Sequence, residues 1–159
     1  MTRRKKTNYF EVPDNAPEPV IASITRRCQF SEVDALGIVW HGRYVSFFEE
    51  AATELGHKCD LTYEAMHEAG IAAPVARLHI DYYRALRLNE RFKVQASVIW
   101  NEGARLNTQF IITGGDGSCA CTGYTVQMFV EAATGNVCIL PPPVLTVFHD
   151  KWLAGVFYD

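Results

Sequence analysis

From Tyr44 the apolar side chains fall at Tyr44, Phe47, Phe48, Ala51, Ala52 and Leu55, with Ser46, Glu49, Glu50, Thr53 and Glu54 mostly opposite. That is the three-and-four spacing of one helix face, and it predicts a long amphipathic helix. Gly56 is placed to stop it. The face is broad and aromatic, so the helix is expected to be wrapped rather than laid on a surface. A shorter helix fits Thr62–Ala69, with Thr62 as cap and Gly70 at the end. Elsewhere the period is two. Val20–Phe30, Ala76–Tyr83, Arg91–Trp100, Leu106–Thr113 and Ala120–Val130 alternate as strands do.

Turn residues at Asn101-Glu102-Gly103 and Gly114–Gly117 join the later strands into hairpins. Thr134-Gly135-Asn136 marks a further turn, Pro141–Pro143 breaks the pattern, and Val144–Trp152 fits a terminal helical turn. The predicted order is strand, long helix, short helix, then four strands in an antiparallel meander. This is an α+β layout in which the sheet must cover the helix. Residues 1–18, with prolines at 13 and 17, read as a flexible leader, and residues 19–159 as one domain.

Composition narrows the function classes. Hydrophobic residues make up 48% and charged residues 21% of the 159, an ordinary globular balance. No apolar run approaches the roughly eighteen residues of a membrane-spanning helix. The basic start M-T-R-R-K-K is followed by no apolar stretch of the kind a secretory signal needs, which points to the cytoplasm. Four of the fifteen basic residues lie in the first six positions, leaving eleven bases against eighteen acids, a net of −7, for the remainder. A body that acidic argues against a nucleic-acid face. The basic tip reads as a solvated tail, with an interaction arm as the lesser alternative. The five cysteines are irregularly spaced, and Cys119-Ala-Cys121 lacks the gap of a zinc or redox pair. Packing thiols and no metal site are expected.

The chemistry concentrates in Val33–Ala52, V-D-A-L-G-I-V-W-H-G-R-Y-V-S-F-F-E-E-A-A. Asp34 sits in a turn with Gly37, which permits positive φ or close ligand approach. From Ala35 to Tyr44 there is no Ser, Thr, Asp or Asn to cap the coming helix. Its first amides, near His41–Tyr44, are therefore expected to lack a side-chain partner. Free amides at a positive helix end suit an oxyanion or polarised carbonyl, and a nearby carboxylate can attack it or activate water. The same residues would equally serve an ordinary turn, with Gly42 as N-cap.

The stretch from Phe30 to Ala51 resembles the signature of the 4-hydroxybenzoyl-CoA thioesterase family of hotdog-fold proteins, loosely D-x-x-G-x-V-x-[HYF]-x-x-Y-x-x-x-[FW]-[ED]-x-A from Asp34 to Ala51. His79-Ile-Asp-Tyr-Tyr-Arg-Ala-Leu and Thr134-Gly-Asn with Leu140-Pro141 resemble further parts of the family. The resemblance implies a hotdog fold, a five-stranded antiparallel sheet around one long central helix, assembled as a homodimer or homotetramer. It implies hydrolysis of an acyl-CoA thioester, with CoA part of the substrate and no cofactor. Asp34 takes the catalytic position, as nucleophile or general base, and His41 marks the backbone N–H that polarises the carbonyl. Gly37, Val39, Trp40 and Tyr44 fall on the substrate side. Glu49 matches a helix acid whose expected role is packing or a salt bridge. Arg43 departs from the family pattern, as does Leu86-Arg87-Leu88-Asn89-Glu90-Arg91.

Phosphates of CoA require positive charge. Arg84, Arg87 and Arg105 are candidates for it, beside Arg91 and Lys93. An acyl-carrier-protein ester is a variant substrate, which the acidic body disfavours. A dehydratase of the same fold would need a different His–carboxylate pattern, and a non-catalytic acyl-CoA binder could dispense with Asp34.

Overall fold

The computed structural model describes residues 5–158. In chain order the elements are β1 Val20–Arg27, α1 Tyr44–Lys58, α2 Tyr63–Glu68, β2 Ile71–Ala72, β3 Val75–Tyr82, β4 Arg91–Ile99, β5 Arg105–Gly114, β6 Cys119–Met128, β7 Val130–Glu131 and α3 Pro143–Leu153. A 3-10 turn at His41–Arg43 leads into α1. Five strands form one antiparallel sheet in the order β1-β4-β5-β6-β3, and β2 pairs with β7. The sheet wraps α1, as a hotdog fold does.

The predicted helix face is the core. Phe47, Phe48, Ala51 and Leu55 are buried, with Phe48 stacked flat on Phe110 of β5 at 4.4 Å and Phe47 tilted on Phe92 of β4 at 4.9 Å. Phe48 comes so close to the sheet because Gly123 of β6 has no side chain. A Cβ there would lie 2.7 Å from the Phe48 ring and 2.3 Å from the His79 carbonyl oxygen.

Two expectations need correction. The four later strands are not a meander, because β3 pairs with β6 at the far edge while β4 lies beside β1. The chain runs back along β1 as α1, and α2 carries it over to that edge. Residues 83–90 then cross back under the start of α1. Gly56 does not end α1, which continues to Lys58; Asp60, at φ +57°, takes the left-handed turn. Gly56 instead admits the Leu61 carbonyl, 3.0 Å from where a Cβ would sit, and its own carbonyl accepts the Leu61 N–H. The terminal helical segment expected at Val144–Trp152 is present as α3, Pro143–Leu153, with Pro143 in its first turn. Thr62 caps α2 as expected, accepting from the Ala65 N–H at 3.1 Å.

The described part of the leader, residues 5–18, carries no helix or strand but is tied to the domain. Tyr9 hydrogen-bonds to the outer sheet face, and the Glu18 carbonyl accepts from Trp152 Nε1 at 2.8 Å. Tyr9 and Glu18 thus both have hydrogen-bond partners in the domain. Met1–Arg4 lie outside the described residues.

Candidate active site

Asp34 stands in a loop closed on both sides. Val33 and Val39 bridge its ends, the Asp34 N–H donates to the Ile38 carbonyl at 2.9 Å, and the Gly37 N–H returns to Asp34 at 3.0 Å. Gly37 takes φ +72°, which is why glycine belongs there. One carboxylate oxygen of Asp34 accepts the Leu36 N–H at 2.8 Å, an Asx turn that fixes the side chain. The loop is stitched to the 83–90 crossing by Val39 N–H to Leu86 O at 2.9 Å and Leu88 N–H to Gly37 O at 3.1 Å.

The chain then enters the His41–Arg43 turn and α1. Neither Trp40, at the N-cap of the turn, nor Arg43, at the N-cap of α1, makes a side-chain cap, as the sequence predicts. Gly42 lies inside the 3-10 turn and is not the N-cap of α1. The amides of His41 and Gly42 thus open the turn that leads into the fifteen residues of α1, with no side-chain cap on either the turn or the helix. Tyr82 O–H donates to the His41 carbonyl at 2.7 Å and orients the turn.

Asp34, Val39, His41, Tyr44, Tyr82, Tyr83 and Arg84 line one open cleft of about 330 Å³. The acid, the helix start and a tyrosine-rich wall therefore meet. Asp34 and His41 are solvent-exposed, whereas Val39 and Tyr44 are buried walls. Tyr44 Oη accepts the Leu86 N–H at 3.1 Å, so this tyrosine is anchored, and burial raises its pKa. Its ring meets that of Tyr82 edge-on at 5.1 Å.

Other candidates sit differently. Trp40 is outside the cleft, half exposed, its ring folded over Gly42; a Cβ on Gly42 would fall 2.1 Å from it. Glu49 is exposed, and the neighbouring Glu50 is the helix acid that reaches Arg26, at 3.5 Å. Arg84 lines the cleft but is spent internally. It holds Glu90 at 2.6 Å, Asp116 at 3.2 Å and the Ser118 hydroxyl at 2.7 Å. The hydrogen bond with Glu90 puts the Arg84 guanidinium above, and the Glu90 carboxyl below, their ordinary ranges. Arg87 is exposed beside the Asp34 loop, bridged to Ile38. Arg105 belongs to the opposite end of the sheet. It faces Met128, whereas Tyr82 faces Cys121, and that length of β6 at about 3.4 Å per residue is roughly 24 Å. The three arginines do not form one patch.

Sequence reasoning missed the Tyr82–His41 bond and the 83–90 strap behind the loop. The signal available was the H-I-D-Y-Y-R-A-L stretch, which ends on the residues that make both. A second, more enclosed pocket of about 170 Å³ lies at the far end of α1 between Leu55, Met66, Val98 and Phe148. Burial pushes the Cys59 thiol beside it up to about 12, so no thiolate nucleophile is available there at neutral pH. No cluster of His, Cys, Asp and Glu able to hold a metal occurs among the described residues.

Against this geometry the comparisons with known proteins are decisive for family. The family model for the thioesterase-like superfamily matches residues 28–148, from the end of β1 into α3. The chain belongs to that superfamily. Two proteins similar to this chain are the acyl-CoA thioester hydrolase YbgC of Escherichia coli O6:H1, 29% identical over 80 residues, and the acyl-CoA thioesterase YbgC of Haemophilus influenzae, 35% identical over 81 residues. Each alignment covers 50% of this chain, and the chain spans 60% of the length of each relative. A DHNA-CoA thioesterase from Staphylococcus aureus superposes with a TM-score of 0.75 at 25% identity, covering 84% of this chain and 91% of that one. The superfamily's hotdog fold is therefore the fold of this chain. No helix among the described residues is long and apolar enough to cross a membrane.

Proposed function

We propose that this protein hydrolyses an acyl-CoA thioester to a free carboxylic acid and CoA. The observation that carries the reading is the shared cleft of Asp34 and the uncapped start of the His41–Arg43 turn. The activities of the YbgC relatives and of the staphylococcal enzyme support it. In the reaction the thioester carbonyl lies against the amides of His41 and Gly42, whose positive end stabilises the developing oxyanion. The Asp34 carboxylate acts in one of two ways. As nucleophile it forms a mixed anhydride and expels CoA thiolate, and water then frees the acid. As general base it takes a proton from water that attacks the same carbon. Either way one water is consumed, and one acid and one thiol are released. Val39, Tyr44 and Tyr82 wall the acyl group, and Gly37 leaves the approach open. No metal or cofactor is invoked, since amides and a carboxylate supply the chemistry.

The working unit is proposed as a homodimer, with a tetramer a further assembly. β3 is an edge strand with Val75, Leu78 and Tyr82 exposed on it, and an unpaired apolar edge is stabilised by a second copy. Its five free cysteines fit a reducing compartment such as the cytoplasm.

The test is steady-state release of CoA thiol from aromatic, short and long acyl-CoAs. Asp34→Asn is expected to retain CoA binding and to lose roughly 10²- to 10⁴-fold in kcat. Comparable turnover by wild type and variant would sink the mechanism. Tight acyl-CoA binding without turnover by wild type would favour a non-catalytic binder.

A further inference from the structure

The outer face of the sheet holds polar side chains that are nearly inaccessible: Gln109 of β5 is 9% exposed and Thr122 of β6 not at all. What covers them is Tyr9. Its N–H donates to Gln109 Oε1, and its hydroxyl donates to Asp81 Oδ2 at 2.8 Å and shares a 2.5 Å bond with Thr122 Oγ1. Its ring packs against His79 at 5.5 Å and Tyr124 at 5.1 Å, and Phe10 adds an edge contact to Tyr124. Tyr9 is an anchor, and burial raises its phenol pKa so that it remains a donor.

The chain N-terminal to this anchor leads to the cleft. The Lys6 N–H donates to the Tyr83 hydroxyl at 2.8 Å, and Tyr83 lines the same cleft as Asp34 and His41. Lys6 Nζ lies 5.3 Å over the Tyr9 ring. The charge of Lys5 reaches Cys119, next to Ala120, whose carbonyl accepts both the Tyr83 and Arg84 N–H groups. Lys6, exposed and tied through its backbone to Tyr83, and its exposed neighbour Lys5 thus lie next to a cleft whose own arginine is consumed by Glu90 and Asp116.

We propose that the N-terminal segment is the phosphate arm of the cleft, with Lys5 and Lys6, held at its rim by the Tyr9 anchor, pairing with the phosphates of CoA. The proposal rests on the acyl-CoA reading above. It gives the basic tip of an otherwise acidic chain a ligand of matching charge.

The probes are CoA, dephospho-CoA and pantetheine, with dissociation constants measured by calorimetry at low salt. Reversing both lysines, K5E/K6E, is expected to weaken CoA roughly tenfold, the modest effect of exposed ion pairs. The loss should shrink with dephospho-CoA, vanish with pantetheine and fade in high salt. Tyr9→Ala, which changes no charge at neutral pH, should reproduce part of it by releasing the arm. Lys58→Glu, at the far end of α1, should leave CoA affinity unchanged. Equal CoA affinity in wild type and K5E/K6E overturns the arm while leaving the acyl-CoA reading intact. So does an equal loss with pantetheine. A wild type that hydrolyses and binds no CoA ester overturns the underlying reading, and the arm with it.

Discussion

Gly123→Ala adds one methyl group to β6 at the point where α1 presses hardest on the sheet. The new Cβ would stand 2.3 Å from the His79 carbonyl oxygen and 2.7 Å from Phe48 Cε2. The first contact is with backbone of β3, which Gly123 meets in register opposite Ile80, so no rotamer change relieves it. The second is with a ring fully buried and stacked on Phe110. Overpacking of this kind costs about 1–3 kcal/mol, and the backbone contact places this site at the upper end. For a domain of this size that is a fall in Tm of roughly 6–12 °C, at about 2–4 °C per kcal/mol. Chemical denaturation followed by circular dichroism measures it, with a double-mutant cycle against Phe48→Leu. The double variant should lose less than the sum of the singles, because the smaller side chain removes one clash and leaves the other. A Gly123→Ala protein within about 0.5 kcal/mol of wild type would refute the packing account.

Tyr82→Phe removes the hydroxyl that holds the His41 carbonyl; thiol-release kinetics should show a several-fold drop in kcat, with stability changed by no more than about 1 kcal/mol. Glu90 is held below the ordinary carboxylate range by its hydrogen bond to Arg84. Its contribution to stability is therefore full above the unfolded-state value near 4.5 and is lost as pH falls through the lower, folded value. Glu90→Gln should flatten the stability curve in that acid window, read by denaturant midpoints from pH 2 to 6. Thiol labelling of the native protein at pH 8 should be slow at Cys28, raised to about 11, at Cys59, raised to about 12, and at the fully buried Cys121. Mass spectrometry after a short pulse should find label only at Cys119 and Cys138, the two that are half-buried.

The sequence was most legible where one element carries its own period. The α1 face from Tyr44 to Leu55 is buried as its spacing predicts, and the two hairpin turns join β4, β5 and β6 where glycine and asparagine mark them. The missing cap before Tyr44 was also readable, because capping is decided by a single residue type at a single position. What period two does not encode is which strands are neighbours. β3 and β4 are consecutive in sequence and stand at different places in the sheet, since the α1–α2 detour decides where the chain re-enters. The separation of the three arginines has a related reason. A basic residue in sequence announces a charge and not its partner, and Arg84 meets Asp116 only once β5 and β6 are paired. The family resemblance puts Trp40 on the substrate side, and its ring rests over the bare Gly42 beside it.

The strand order has a kinetic corollary. β4, β5 and β6 can zip together through two tight turns, whereas Val20 must find Val98 and Tyr82 must find Cys121 across long closed loops. Loop-closure entropy makes those outer pairings the late ones. Asp34 and His41 hang between β1 and α1, and Tyr82 ends β3, so the cleft is assembled from the parts that arrive last. Pulsed hydrogen exchange during refolding should protect Phe110 and Ile112 before Ile80 and Ile24, and the regain of activity should track the second pair.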